Sequence, residues 1–364
     1  MSSEKLTEME TKPVLVCPYC HGKEIIKKGI RYKKHEKVQL YHCAKCDKRF
    51  TPLITKNKTF PLKIIISALT LYNRFLSLEE AAEIVSEKYG IKVSMQNISK
   101  WREDFKEYLT FSRMRDYIDR NYEKKKIFVE SQLFHGQIYQ FKYHRAKTEI
   151  ILNDSYAHSK FDSLRQFLEL VYAECPHQIF KESTLRASEY KNIFNLDGVR
   201  ITPKDNYAVK NSRFVLQAVA NNKLRHEVLQ EFMLVNDSVT IATEVPVLLD
   251  KEDILHYKCI LGFNVPLSIA DDDRITGHID LVQIRNGLIY IMDFKPGAKK
   301  EKPIEQLTIY ALALSRLTGL RLYHFACAWF DDENYYEFFP LHVVYKKQRN
   351  KKDKKKEKNK TEHE

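Results

Sequence analysis

The sequence predicts a multidomain chain: a small cysteine-knuckle ribbon, a three-helix unit, an α/β middle segment and a second, larger α/β domain, followed by a basic tail. Three observations carry that prediction. Two C-x2-C pairs stand between short β-prone runs, three apolar-periodic segments with helix caps follow, and beyond residue 200 helical and strand periodicities alternate around an Asn-Gly turn. With 364 residues, 43% of them hydrophobic, the chain can bury two or three cores and is too apolar to be disordered. The expected boundaries are 13–54, 61–110, 124–200, 205–345 and 346–364.

In the first segment, each knuckle turn aims both of its sulfurs to one side. Cys17, Cys20, Cys43 and Cys46 can therefore converge tetrahedrally on one structural Zn2+, an iron–sulfur centre being the other cluster the spacing admits. The neighbouring His21 and His42 are expected to stay outside the ligand set. So little apolar content surrounds these cysteines that the ribbon should depend on its metal to fold. Four of the seven cysteines fall in the first 46 residues, and in a chain of this size that favours metal binding over a disulfide scaffold. Cys175, Cys259 and Cys327 have no such spacing and are expected to be small buried residues.

Pro61 opens an apolar-periodic helix running to about residue 75, and Ser77-Leu-Glu-Glu80 is a capping box for a second that ends near Gly90. Ser94 starts a third, with Ile98, Trp101 and Phe105 on one face and Gln96, Asn97, Ser99, Lys100 and Arg102 on the outer side. Three helices joined by short turns predict a helix-turn-helix whose last helix could enter a DNA major groove. Lys27, Lys28, Arg31, Lys33 and Lys34 form a basic strand and loop suited to phosphates.

Charge supports an anionic partner at the two ends. Of the net +13, residues 1–60 carry +8 and residues 346–364 carry +6, while the middle stands at −1. No run of 18 apolar residues could span a bilayer, and residues 1–12 have no signal-peptide core, so an intracellular protein without membrane contact is expected. The lysine-rich stretch 346–360 is expected to be a disordered polycation.

The middle segment reads as strands over 127–129, 137–143 and 148–152, then an amphipathic helix over 161–173. Thereafter a helix is expected over 210–235, strands over 240–249, 279–284 and 288–294, a helix over 303–317, and strands over 322–330 and 335–339. Asp271, Asp272 and Asp273 read as a polar loop.

Asn286-Gly287 is a two-residue type I′ hairpin signal. If those residues form the turn, Asp280 lies directly opposite Asp293, and Lys295 follows two residues on, on the same face. The hairpin is apolar on both faces, so two carboxylates there repel unless neutralised. A bridging Mg2+ or Mn2+ suits these hard oxygen ligands. A bare Asp–Lys–Asp ion cluster is the plainer alternative.

Two resemblances attach to these residues. Gly277-His-Ile-Asp280, Ile291-Met-Asp293-Phe-Lys295 and Gln306-Leu-Thr-Ile-Tyr310, preceded by Leu224-Arg-His226-Glu and Thr243-Glu244-Val-Pro-Val, resemble the ordered motifs of PD-(D/E)XK nucleases of the RecB type over about 205–345. The resemblance implies a restriction-endonuclease-like α/β fold in which Asp280 and Asp293, with His226 and Glu244, hold the divalent metal. It implies that Lys295 acts on the reacting water or phosphate, and that Gln306 and Tyr310, on one helix face, hold DNA or support the site. Only Cys327 follows Tyr310, so the iron–sulfur cluster of some relatives is not expected.

The first 110 residues resemble the DNA-binding front end of insertion-sequence transposases, through the two knuckles, Phe50 and the three helices. Around Ile127-Phe-Val-Glu130 and Lys181-Glu182-Ser183 the chain also resembles the start of their RNase H-like core, with glutamates for aspartates and no third acid, which implies a degenerate segment. The expectation is a metal-dependent DNA nuclease of a nucleoid-associated, mobile-element kind, its DNA delivered by the N-terminal region. A transposase acting through the middle segment and a DNA-binding protein with an inactive nuclease fold are the alternatives. Oligomeric state is left open.

Overall fold

The computed structural model describes residues 16–51, 58–182, 185–219 and 221–345. They form two compact units. The first comprises the described residues through Asn121 with Tyr207–Ser238 and Asp331–Glu333, and the second comprises Tyr122–Asn206, Val239–Phe330 and the described residues from Asn334 onward. The expected basic tail lies outside the described residues. No described helix is long and apolar enough to cross a membrane.

The first unit begins with the ribbon. Strand β1 (Ile25–Tyr32) pairs antiparallel with β2 (Lys37–Cys43), which pairs with β3 (Arg49–Phe50). The two knuckles are built alike. The residue after each C-x2-C pair, His21 or Asp47, has φ of 56°, and its N–H donates to the carbonyl of the first cysteine, Cys17 or Cys43, at 2.9 Å. Phe50 joins Cys17 and Cys43 in a small buried centre whose remaining cover is Ile25, Tyr41 and the other two thiols.

Three helices follow: α1 (Leu62–Asn73), α2 (Leu78–Tyr89) and α3 (Met95–Asp104). Ser77 and Glu80 close the capping box, Gly90 takes the left-handed conformation that ends α2, and Ser94 with Asn97 caps α3 in the same reciprocal way. Ile64, Ile65, Ala68 and Leu69 of α1, Ala81, Ala82 and Val85 of α2, and Ile98 and Trp101 of α3 are buried. Each fully buried aliphatic side chain contributes about 1.5–3 kcal/mol.

Helix α4 (Ser112–Asn121) and helices Tyr207–Leu216 and Arg225–Asn236 complete this unit. Asn236 ties its segments together, accepting at Oδ1 from Asn73 Nδ2 at 2.8 Å and at its carbonyl from Phe111 N–H at 3.0 Å. The single helix expected over 210–235 is therefore two. The first ends at Leu216, and Asn221 then accepts at its side chain from Lys223 N–H at 3.0 Å, starting the turn that leads into the second.

The second unit is one mixed sheet with helices against it. Its strands are β4 (Phe128–His135), β5 (Gln137–His144), β6 (Leu185–Arg186), β7 (Thr202–Pro203), β8 (Thr240–Leu249), β9 (Ile275–Arg285), β10 (Leu288–Phe294), β11 (Phe325–Phe330) and β12 (Tyr335–Phe338). Their order is β4-β5-β8-β9-β10-β11-β12-β7, with β6 parallel to one end of β9. Strands from the middle segment thus share the sheet with those of the C-terminal segment. The helices named below are α5 (Arg145–Asp154), α6 (Asp162–Glu174), α7 (His177–Glu182) and α8 (Ile304–Thr318).

The strand expected over 148–152 is the middle of α5. Thr148 and Ile151 favour strands by type, but the His144 side chain accepts from Lys147 N–H at 3.3 Å and Thr148 Oγ1 donates to His144 O at 3.0 Å, starting a helix. Its buried residues, Lys147, Thr148, Ile151 and Leu152, fall at helical spacing. Further on, β10, α8 and β11 form a crossover in which β10 and β11 are parallel, and α8 buries Leu307, Ala311 and Leu314. The strand expected from residue 322 begins only at Phe325, after a 3₁₀ turn at Leu322–His324.

Candidate active site

The hairpin that carries the carboxylates has the register the turn dictates. Asn286 and Gly287 have φ of 52° and 70°, as a type I′ turn requires, and Leu288 pairs with Arg285, Ile289 with Ile284 and so on to Met292 with Leu281. Asp293 and Asp280 are next in line. There the ladder hands over to a side chain: Phe294 N–H donates to Asp280 Oδ2 at 3.1 Å. On the other side of β10, Asp293 pairs with Trp329 of β11, and Lys295 N–H donates to Phe330 O at 2.9 Å. Trp329 Nε1 in turn donates to Ala298 O at 2.9 Å and pins the segment leaving the site.

Asp293 is 3% exposed. Burial, and then the Asp280 charge, push its carboxyl well above the usual carboxylate range, against the pull of Lys295. Lys295 Nζ lies 3.0 Å from Asp293 Oδ2 as an ion pair, and no further donor serves that buried oxygen. Burial works against the Lys295 charge, but Asp293 and Asp280 outweigh it and hold its pKa above the usual value. A buried carboxylate beside a second carboxylate, with one lysine between two acids, is the donor set a hard divalent cation takes, so the residues fit Mg2+ or Mn2+.

Glu244 stands at the edge of this pair. On β8, Thr243 pairs with Leu281 and Val245 with Ile279, which leaves Glu244 and Asp280 facing each other at the position between. Glu244 has φ of 52° in mid-strand, a conformation that is strained for a residue with a Cβ. Two further residues are set by α8. Gln306 Nε2 donates to Tyr310 Oη at 2.9 Å, as their shared helix face allows, and burial pushes the Tyr310 phenol far up, so it stays protonated. Gly277 makes room for the ring: a Cβ at that position would overlap the Tyr310 edge.

His226 lies on helix Arg225–Asn236 of the first unit, whereas Asp280, Asp293, Lys295, Glu244, Gln306 and Tyr310 all belong to the second. Glu130 and Glu182 are exposed, on β4 and at the end of α7.

In the ribbon, Cys17 and Cys46 Sγ stand 3.5 Å apart, as do Cys20 and Cys43 Sγ, and all four sulfurs lie within 4.8 Å of one another. Burial opposes a thiolate at Cys17, but backbone N–H groups of Tyr19 and Cys20 outweigh it and bring the thiol down to about 7, while at Cys46 the pull of the Lys48 backbone N–H is outweighed by burial and the clustered sulfurs, which drive it up to about 12. This set could hold Zn2+. His42 Nε2 instead meets Asp47 Oδ1 at 2.6 Å, outside the sulfur set.

Among the basic and polar residues expected to face DNA, Lys27, Lys28, Arg31, Lys34, Gln96 and Lys100 are exposed. Lys33 is drawn back by Glu36 at 2.8 Å, Asn97 serves the α3 cap, and the Arg102 guanidinium lies 4.2 Å from the Tyr72 ring centre.

The expectation that all three remaining cysteines are simply buried holds for Cys327 alone. Cys259 is exposed, and Cys175 is partly buried beside His135 and His177. The sequence pattern assigns these histidines no role. Only the adjacency Cys175-Pro-His177 hinted at one, because His135 is 40 residues from Cys175.

A mixed sheet crossed by a β-α-β unit, with two carboxylates and a lysine at the ends of adjacent strands, defines a nuclease-type α/β fold. The sequence model of the PD-(D/E)XK nuclease superfamily matches residues 158–363, and the chain belongs to that superfamily. No curated protein and no solved structure matches the chain.

Proposed function

We propose that the protein is a metal-dependent DNA nuclease of the RecB type, with its site at Asp280, Asp293 and Lys295 and its DNA delivered by the zinc ribbon and α1–α3. The observation that carries this reading is Asp293: a buried carboxylate beside Asp280, with the Lys295 ammonium 3.0 Å from its Oδ2. Asp280 and Asp293 would hold Mg2+ or Mn2+, with Glu244 as a further ligand. Such an ion supplies charge stabilisation on the scissile phosphate and lowers the pKa of the attacking water. Lys295, fixed through its backbone by β11 and charged at neutral pH, orients the phosphate or water. Gln306 and Tyr310 form a hydrogen-bonded pair that supports the strand carrying Gly277 and Asp280.

The front end supplies affinity. Lys27, Lys28, Arg31 and Lys34 on the ribbon bind phosphates without reading bases, and Gln96 and Lys100 on α3 read bases as the outer face of a helix-turn-helix. The arrangement resembles that of insertion-sequence transposases and suits a nucleoid-associated enzyme. Incubation of the purified protein with linear, circular and single-stranded DNA, with Mg2+, with Mn2+ or with neither, tests the reading. Cleavage that requires a divalent ion is expected. No cleavage of any form with either ion would leave a DNA-binding protein with an inactive nuclease fold.

A further inference from the structure

We infer that His135, His177 and Cys175 form a second transition-metal site in the nuclease unit, one that takes a borderline-soft divalent ion such as Zn2+. His135 Nε2 lies 2.9 Å from His177 Nδ1 and 3.8 Å from Cys175 Sγ, and the three ligand atoms lie within 4.8 Å of one another. Tetrahedral zinc with usual Zn–N and Zn–S lengths places two nitrogens about 3.4 Å apart and a nitrogen and a sulfur about 3.5 Å apart. His135 Nε2 and His177 Nδ1 would open by about 0.5 Å and His135 Nε2 and Cys175 Sγ close by about 0.3 Å to reach those values. Two imidazoles and one thiolate are a donor set that Mg2+ does not favour and Zn2+ does.

The surroundings hold the ligands in place. His135 Nδ1 meets His278 Nε2 at 2.8 Å, so His135 can give its remaining N–H to His278 and keep Nε2 free for an ion, which is the outer support that metal-bound histidines use. The Phe180 ring stacks on His135 at 4.2 Å and Tyr139 on His278 at 3.5 Å, which fixes both rings. Cys175, Pro176 and Phe180 also line a cavity of about 360 Å3 on the cysteine side of the cluster. Three ligands leave a fourth position for water, and binding releases the Cys175 thiol proton. The site would cross-link the end of β4 to the start of α7, with His278 joining it to the strand that carries Asp280.

The alternative for the same distances is a chain of hydrogen-bonded histidines with no ion. Elemental analysis of the full-length protein after gel filtration separates the two. Two zinc ions per chain are expected for the wild type and for Asp293→Asn, one for Cys43→Ser and one for Cys175→Ser. Wild-type protein with a single zinc that Cys175→Ser retains, or two that Cys175→Ser retains, would overturn the site. If Cys175→Ser does not fold, the wild type still decides: alkylation of Cys175, followed by peptide mass, should slow at least tenfold when Zn2+ is restored to stripped protein. An unchanged rate refutes the proposal.

Discussion

Replacing Asp293 with Asn should stabilise the magnesium-free protein, and the gain should depend on pH. In the wild type, burial and Asp280 hold the Asp293 pKa above its unfolded value of about 3.9. A raised carboxyl contributes its full stability below the unfolded pKa and loses it as pH rises through the folded pKa. Each unit of that elevation costs the native state about 1.4 kcal/mol once the pH has passed both values. A buried group short of hydrogen bonds carries a penalty on the order of 1–3 kcal/mol, which the Lys295 ammonium 3.0 Å away offsets in part. Asparagine keeps the shape, removes the charge and offers Asp280 a donor.

Calorimetric melts at pH 5 and pH 8, in buffer without magnesium or chelator so that the ribbon keeps its zinc, should show Asp293→Asn melting higher at pH 8. For a unit of this size the gain corresponds to roughly 2–12 °C. The gap should narrow at pH 5, and Mg2+ should stabilise the wild type but not the variant. A variant that melts at or below the wild type at pH 8, or a gap equal at both pH values, would refute the reasoning.

Gly277→Ala places a methyl group in the Tyr310 ring edge; a stability loss of about 1–3 kcal/mol and a matching loss of cleavage are expected, read by denaturant titration and a plasmid assay. Cys43→Ser should release the ribbon zinc and broaden the NMR signals of residues 16–51, while those of the β9–β10 hairpin stay in place. Lys34→Ala should weaken binding to every DNA alike and lower the salt slope by about 0.9, whereas Gln96→Ala should change preference between sequences; anisotropy titrations with several duplexes check both.

Features fixed by local chemistry were readable from the sequence. Asn286-Gly287 dictates a turn type, the turn dictates the register, and the register sets Asp293 beside Asp280. Ser77-Leu-Glu-Glu80 dictates a cap, and the paired C-x2-C spacing dictates two knuckles. Features that depend on distant partners were not. Thr148 and Ile151 look like strand residues until His144 caps the helix in front of them. The strain at Glu244 comes from its place in the β8–β9 ladder, and the need for glycine at 277 comes from a tyrosine 33 residues away. His135 meets His278 across 143 residues, a separation at which no spacing rule operates. Arg102 and Asn97 looked available for DNA because the Tyr72 ring and the Ser94 cap cannot be seen in a helical wheel of α3.

Single-turnover cleavage of one duplex by wild type, Asp293→Ala, Lys295→Ala and Glu130→Ala, with DNA affinity measured on the same samples, decides where the chemistry resides. Asp293→Ala is expected to reduce cleavage to background and Lys295→Ala to slow it by about 10²–10³. Glu130→Ala should cleave at the wild-type rate, and all four proteins should bind DNA with similar affinity. Full activity in Asp293→Ala together with loss in Glu130→Ala would contradict the assignment and move the chemistry to the middle segment.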